Sequence, residues 1–198
     1  RAARPAGATA LNRPAISRAE GGLALLWGLA EASLFFVVPD VIIGWIALRK
    51  GMSAGAGAAL LAAVGAMIGG SALYLVAAWN PAGALAAVEA VPAVSTAMVE
   101  AARADMNDSG WLAAALKGPL TSTPYKVYSV LAAARDVGPL SWAAAAIPVR
   151  LPRFLLVAVG FALIGRLTER HLASRARLGG FTLGWVLFYG WFWISHPG

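Results

Sequence analysis

Residues 21–51 read GGLALLWGLAEASLFFVVPDVIIGWIALRKG, and the reading of this stretch decides the fold. As one straight helix its apolar part, 21–48, would rise roughly 42 Å, well past a hydrocarbon core of about 30 Å. It also carries two acids, Glu31 and Asp40, with Pro39 beside the second. Proline removes a backbone donor and disfavours a helical residue ahead of it, so a break is expected at Val38. A broken apolar helix with acids near the break predicts a re-entrant hairpin that comes in from one face, turns near mid-membrane and leaves by the same face. Non-helical backbone survives at that depth only where protein buries it or it lines a wet cavity. The turn is therefore the expected functional centre.

Composition agrees with a membrane setting. Sixty per cent of the residues are hydrophobic and only 13% charged, where a soluble domain carries about 25% charge; mean hydropathy is +0.71. The absence of cysteine removes disulfides, thiolate metal sites and cysteine nucleophiles. His171 and His196 lack ligand spacing, so neither a metal nor a haem or pigment site is expected. A net charge of +7 in so apolar a chain points to cytoplasmic loops and anionic headgroups rather than nucleic acid. The chain opens on Arg1 rather than Met, which predicts a missing start or processing. Residues 1–20 are polar and basic, with no apolar core of a cleaved signal peptide.

Outward from the opening stretch, Arg49 and Lys50 close the first hairpin. Residues 54–79 run without a charge, the clearest spanning helix, and carry Gly65, Gly69 and Gly70 at spacing that allows close approach of another helix. Residues 80–109 hold Glu89, Glu100, Asp105 and Asp108 against Arg103, an interfacial segment expected to break at Pro92. Residues 110–135 are apolar at both ends, but their middle holds Lys117, Gly118, Pro119, Thr121, Ser122, Thr123, Pro124 and Lys126. This predicts a second re-entrant hairpin. Residues 140–167 follow as a helix interrupted over 147–153, placing Arg150 and Arg153 within or at the edge of the membrane. A basic loop (Arg166, Arg170, Arg175, Arg177) leads to a last helix over 181–195, whose Trp185, Tyr189, Trp191 and Trp193 suit an interfacial anchor. Basic segments belong inside and the acidic connection outside. Two hairpins that each return to their own side satisfy that rule.

A weak echo links the halves. Pro39-Asp40 followed by residues 47–51 (ALRKG) matches Pro124-Tyr125 followed by residues 133–136 (AARD), each ahead of a spanning helix. In opposite topology this is an inverted repeat, which places discontinuous helices and a binding site at the midplane; chance similarity in a skewed composition is the alternative.

The chemistry rests on charges in apolar surroundings. Glu31 and Asp40 raise a functional hypothesis by default. Removing a carboxylate from water favours its protonated form, which suits proton coupling; the plainer reading is a salt bridge to Arg150 and Arg153 that only holds the fold. Arg150 and Arg153 lie on one helix face and their guanidinium forks suit phosphate, unless both snorkel to the interface. Lys126 is a further candidate for the same pocket. Thr121, Ser122 and Thr123 suit either a headgroup or their own broken backbone. No phosphate-cradling loop and no nucleophile-plus-base constellation is found, so an enzyme is not expected.

These features resemble the DedA family, also called VTT-domain or SNARE-associated membrane proteins. The likeness lies in Glu31 with Pro39-Asp40, the Gly-rich span ending near Tyr74, Gly118-Pro119 with Pro124-Tyr125-Lys126, and residues 147–154 (IPVRLPRF). It covers residues 21–166 and implies opposed re-entrant hairpins and lipid transport or scrambling. For bacterial members it implies undecaprenyl phosphate or phosphatidylethanolamine as cargo and dependence on the proton-motive force. The family's membrane-embedded acids and arginines map onto Glu31, Asp40, Arg150 and Arg153. The branch is divergent: Pro39-Asp40-Val41 stands where Pro-Gly-Glu is common, Lys126 follows Pro124-Tyr125 where an Arg follows Pro-Gly, and the arginine pair comes after the second hairpin.

The expectation is an all-α integral membrane protein, a polytopic helical bundle with two opposed re-entrant hairpins. A basic tail (1–20), a membrane domain (21–179) and a C-terminal helix (180–198) would sit in a bacterial cytoplasmic membrane, N-terminus inside. The expected activity is proton-coupled movement of a phosphate-bearing lipid by Glu31, Asp40, Arg150, Arg153 and Lys126, without cofactor, metal or nucleic acid, alone or as a homo-oligomer. The alternative is a non-catalytic subunit of a larger membrane complex, which the Gly/Ala-rich helices would also suit.

Overall fold

A computed structural model describes residues 15–92, 94–121 and 123–195. Arg1, Arg4 and Arg13 of the expected tail, with Ser122 and His196, lie outside the described residues. Among the described residues every element is helical: α1 (Arg18–Ser33), α2 (Asp40–Lys50), α3 (Met52–Trp79), α4 (Pro81–Glu89), α5 (Thr96–Ser109), α6 (Trp111–Lys117), α7 (Tyr125–Ala133), α8 (Pro139–Thr168) and α9 (Ser174–Ser195). Two of them, α3 and α8, are long and apolar enough to cross a membrane.

A capping box starts α1: the Ser17 side chain accepts from the Glu20 N–H, and the Glu20 carboxylate accepts from the Ser17 N–H at 2.9 Å. Lys50, at the end of α2, reaches the same carboxylate at 2.6 Å, so the start of α1 and the end of α2 share one level. Partial burial works against the Glu20 charge, but hydrogen bonds from Lys50 and Ser17 outweigh it and hold the carboxyl down to about 2. At the other end α1 stops at Ser33, whose hydroxyl donates to the Leu29 and Ala30 carbonyls. The break expected at Val38 covers residues 34–39, and α2 restarts at Asp40 just after Pro39. An acid in the first turn suits the positive end of the helix dipole.

Glycine sets how α1 meets α3. A Cβ on Gly28 would strike the Ala62 carbonyl, one on Gly65 the Leu25 carbonyl, and one on Gly69 the Leu29 carbonyl. Backbone therefore lies on backbone, and along the seam Gly21 meets Leu61, Leu25 meets Gly65 and Leu29 meets Gly69, so the two helices run parallel. Gly65 and Gly69 thus mark a helix interface inside this chain. Between α2 and α3 the chain reverses at Gly51, whose φ of 85° favours a residue without a side-chain branch point. Gly55 then faces Ala47 and Ala158, while Tyr74 donates to the Val137 carbonyl, so α8 runs antiparallel to α3.

The second half packs on the opposite end of α3. α6 and α7 flank residues 118–124, the Tyr125 ring lies against Gly70, and a turn at Asp136 (φ 53°) leads into α8. The connection is α4 and α5, separated at residues 90–95 around Pro92. The Lys117 ammonium, 2.8 Å from Asp105, holds that carboxyl below its ordinary range.

Two expectations need correction. The helix expected to be interrupted over 147–153 is continuous from Pro139 to Thr168 with Pro148 and Pro152 inside it. Each proline deletes one N–H and crowds the preceding turn, but α8 is packed along α2 and α3, and that lateral packing keeps the helical path. The basic loop expected over 166–177 is largely helical as well: Arg166 belongs to α8 and Arg175 and Arg177 to α9, leaving only 169–173 between them.

Candidate functional site

The halves meet where their broken segments face each other. From the second, Lys126 extends its buried ammonium to the Phe35 carbonyl of the first, 2.6 Å away. That carbonyl lies in the 34–39 break, where no helical partner is available, so the ammonium satisfies exposed backbone while spanning the two segments. Beneath this contact lies a cavity of about 830 Å³. All five residues singled out from the sequence line it: Glu31, Asp40, Lys126, Arg150 and Arg153.

The acids and arginines are paired. Arg150 Nη2 bonds Glu31 Oε2, both side chains buried, and Arg153 Nη2 bonds Asp40 Oδ2 at 2.8 Å. α8 supplies both guanidinium groups near its middle, three residues apart and hence on one face. Arg150 is also sandwiched by rings, its guanidinium carbon 4.8 Å from the Phe154 centroid and 5.6 Å from that of Tyr125. Such rings favour a cation removed from water. The Arg153 pair is more open, with 35% of the arginine side chain accessible.

Not every polar atom here is satisfied. Among the described residues Asp40 Oδ1, Arg150 Nε, Tyr125 Oη and Trp142 Nε1 are buried without a hydrogen-bond partner. Buried orphans cost about 1–3 kcal/mol each, and two of them, on Asp40 and Arg150, belong to residues that line the cavity. The arrangement is a paired but incompletely satisfied ionic cluster. It presents three basic groups against two acids, and so has capacity for an anion. No three carboxylate, imidazole or thiolate groups converge as a metal centre requires, among the described residues.

The opposite wall of the cavity was read from the sequence only as an interfacial anchor, through Trp185 and Tyr189. It comes from α9, with Phe181, Trp185, Phe188 and Tyr189. Tyr189 Oη accepts the Val38 N–H at 3.1 Å, and Phe36 meets the Tyr189 and Trp193 rings edge-on. Tyr125 and Trp142, stacked at 5.1 Å, were also missed. Their signal was weak, because aromatic residues in an apolar chain read equally well as packing. Thr121 bonds the Gly118 carbonyl, closing its own turn rather than facing the cavity. His171 is exposed between α8 and α9.

No family model, curated protein or solved structure matches this chain.

Proposed function

We propose that the protein is a multi-pass transporter of the bacterial cytoplasmic membrane that moves a phosphate-bearing lipid, of the kind the DedA resemblance implies. The observation that carries this reading is the cavity itself: five buried or half-buried ionisable side chains from four helices, α1, α2, α7 and α8, face an aromatic wall. Burying so much charge is costly, and in a chain this apolar the expense is most readily explained by a polar ligand.

The membrane setting draws support from α3 and α8 and from large apolar side chains left exposed, such as Leu75, Leu156, Leu163, Val186 and Leu187. In that setting α1–α2 and α6–α7 are two re-entrant hairpins from opposite faces. Both precede a long helix, both are followed by a positive-φ turn residue, Gly51 or Asp136, and α3 and α8 are antiparallel, as an inverted repeat requires. Arg49, Lys50, Arg166 and Arg170 gather at one end, and Glu89, Glu100 and Asp108 belong to the connection at the other. The basic end is then cytoplasmic.

The mechanism follows from exchange of partners. A lipid phosphate competes with Asp40 for the open Arg153 guanidinium, and bidentate geometry favours it. Asp40, left without its counter-charge in a desolvated site, takes up a proton. Return of the arginine to Asp40 as the headgroup leaves releases that proton. Lys126 adds a third positive group beside the path.

The test is transbilayer movement of an acyl-labelled fluorescent anionic phospholipid in vesicles holding the purified protein. Arg153→Gln and Asp40→Asn should each slow it at least tenfold while the thermal midpoint stays close to wild type. Undiminished rates in both variants overturn the mechanism. No movement by the unaltered protein, with co-purification at fixed stoichiometry, favours the assembly-subunit alternative, which the exposed apolar faces of α8 and α9 would also serve.

A further inference from the structure

We infer that the inward face of α9 is a separate subsite for one hydrocarbon chain of an anionic amphiphile. This rests on the cavity being a headgroup site, and it adds which part of the protein holds the rest of the ligand. The partly covered positions of α9 include Phe181, Trp185, Tyr189 and Phe192, a spacing of four, four and three that defines one helix face. All four are rings. A helix face this apolar ordinarily packs into a core.

This one does not. Among its residues of described burial α9 contributes no buried one, whereas α3 and α8 each bury a full stripe. Its attachments include Phe181 edge-on to Phe161 and beside Gly44, Arg177 to the Gly165 carbonyl, and Tyr189 with Trp193 to residues 36–38. Between these points the ring face borders the cavity. Gly180 and Gly184 lie on the cavity wall, and a Cβ added to either would meet nothing within 4 Å. The contrast with Gly28 and Gly65, where a Cβ would strike backbone, is informative. In α1 and α3 glycine lets helices touch; in α9 it leaves width beside the rings.

Charge complementarity selects the occupant. One wall of the cavity carries Lys126, Arg150 and Arg153 against Glu31 and Asp40, an excess of one basic group, and the α9 wall carries rings and no charge. An anionic head joined to a hydrocarbon tail matches both walls at once, which neither a free anion nor a neutral hydrocarbon does. At about 830 Å³ the cavity falls in the range of roughly 300–1,000 Å³ usual for small-molecule sites, so it admits a head and part of one chain rather than a whole two-chain lipid.

The experiment uses the full chain in phosphatidylcholine vesicles doped with one of two probes. One is a phosphatidic acid carrying a photoactivatable diazirine in its acyl chain; the other is the diacylglycerol with the same chains. Labelled positions are read by mass spectrometry. The expected result is labelling of Trp185 and Phe188 by the phosphatidic acid probe at least fivefold above the diacylglycerol. Gly184→Leu should lower that labelling about tenfold, with Gly184→Ala between, while labelling of the outward Leu183 and Leu187 stays unchanged as a control for folding and insertion. Equal inward labelling by both probes, still lowered by Gly184→Leu, keeps the chain subsite and overturns the headgroup reading. Inward labelling that is absent, or indifferent to Gly184→Leu, overturns the subsite whatever the transport assay gives.

Discussion

The two arginine–carboxylate pairs look alike in sequence, three residues apart on α8, yet they occupy different environments. In the Arg150–Glu31 pair both side chains are almost inaccessible, 6% and 5%, while in the Arg153–Asp40 pair the arginine keeps 35% of its surface. Depth decides what each can do. A fully buried pair gains Coulomb energy but loses hydration on both sides, so it is retained mainly because removing one partner strands the other. A half-open pair can trade its partner for a ligand or a proton at much lower cost. The inner pair is thus a clamp between α1 and α8, and the outer pair is the exchangeable contact.

The sharpest way to break this contrast is to cut the inner pair on one side. Arg150→Ala or Glu31→Ala should cost about 3–5 kcal/mol by leaving a lone buried charge, measured as a fall in thermal midpoint and in yield of dispersed protein. The double replacement Glu31→Leu with Arg150→Met should recover most of that stability, because no charge is stranded. A double variant as unstable as the singles would mean the pair is more than a clamp. Next in size is the seam that carries the inner pair: Gly65→Ala puts a methyl group against the Leu25 carbonyl and should cost about 1–3 kcal/mol through overpacking, read by the same unfolding assay. Gly184→Ala, where the space is open, should cost little in that assay.

Arg153→Gln should then lower stability by only about 1 kcal/mol, since the pair is partly solvated. If the unfolding assay gave it the cost of Arg150→Ala, the division into inner and outer pairs would fail. The smallest effect concerns the base of the first hairpin. Glu20 is depressed to about 2 in the fold, so its contribution is present above its ordinary range near 4.5 and is lost as pH falls from there toward 2. Solvent screening at this edge limits it to about 1 kcal/mol. Glu20→Gln should flatten that part of the stability–pH curve and leave the neutral value slightly lower.

Much of the helical layout was legible because it follows from local rules. An uninterrupted apolar run over 54–79 gave α3 its helix, two residues short of its observed start at Met52, and Pro39 and the 118–124 cluster gave the breaks. The five charged residues stood out because ionisable groups are rare in such surroundings, and they do converge. What stayed hidden depends on distant neighbours. Pro148 and Pro152 read as an interruption because proline is a local breaker, whereas packing along α2 and α3 carries α8 through both. The α9 rings read as an interfacial anchor because enrichment in Trp and Tyr suits either an interface or a cavity wall. Only the meeting of Tyr189 with Val38, 151 positions apart, distinguishes them. Likewise nothing in Tyr125 or Phe154 alone announces that their rings would lie against Arg150.

The direct contact of α1 with α3 at Gly28, Gly65 and Gly69 has a mechanical consequence. Where main chain rests on main chain there are no rotamers to rearrange, so that joint cannot slide by repacking and behaves as a fixed keel. Any displacement must then fall on the α9 side, which is held to the 34–39 break by one hydroxyl and a few aromatic edges.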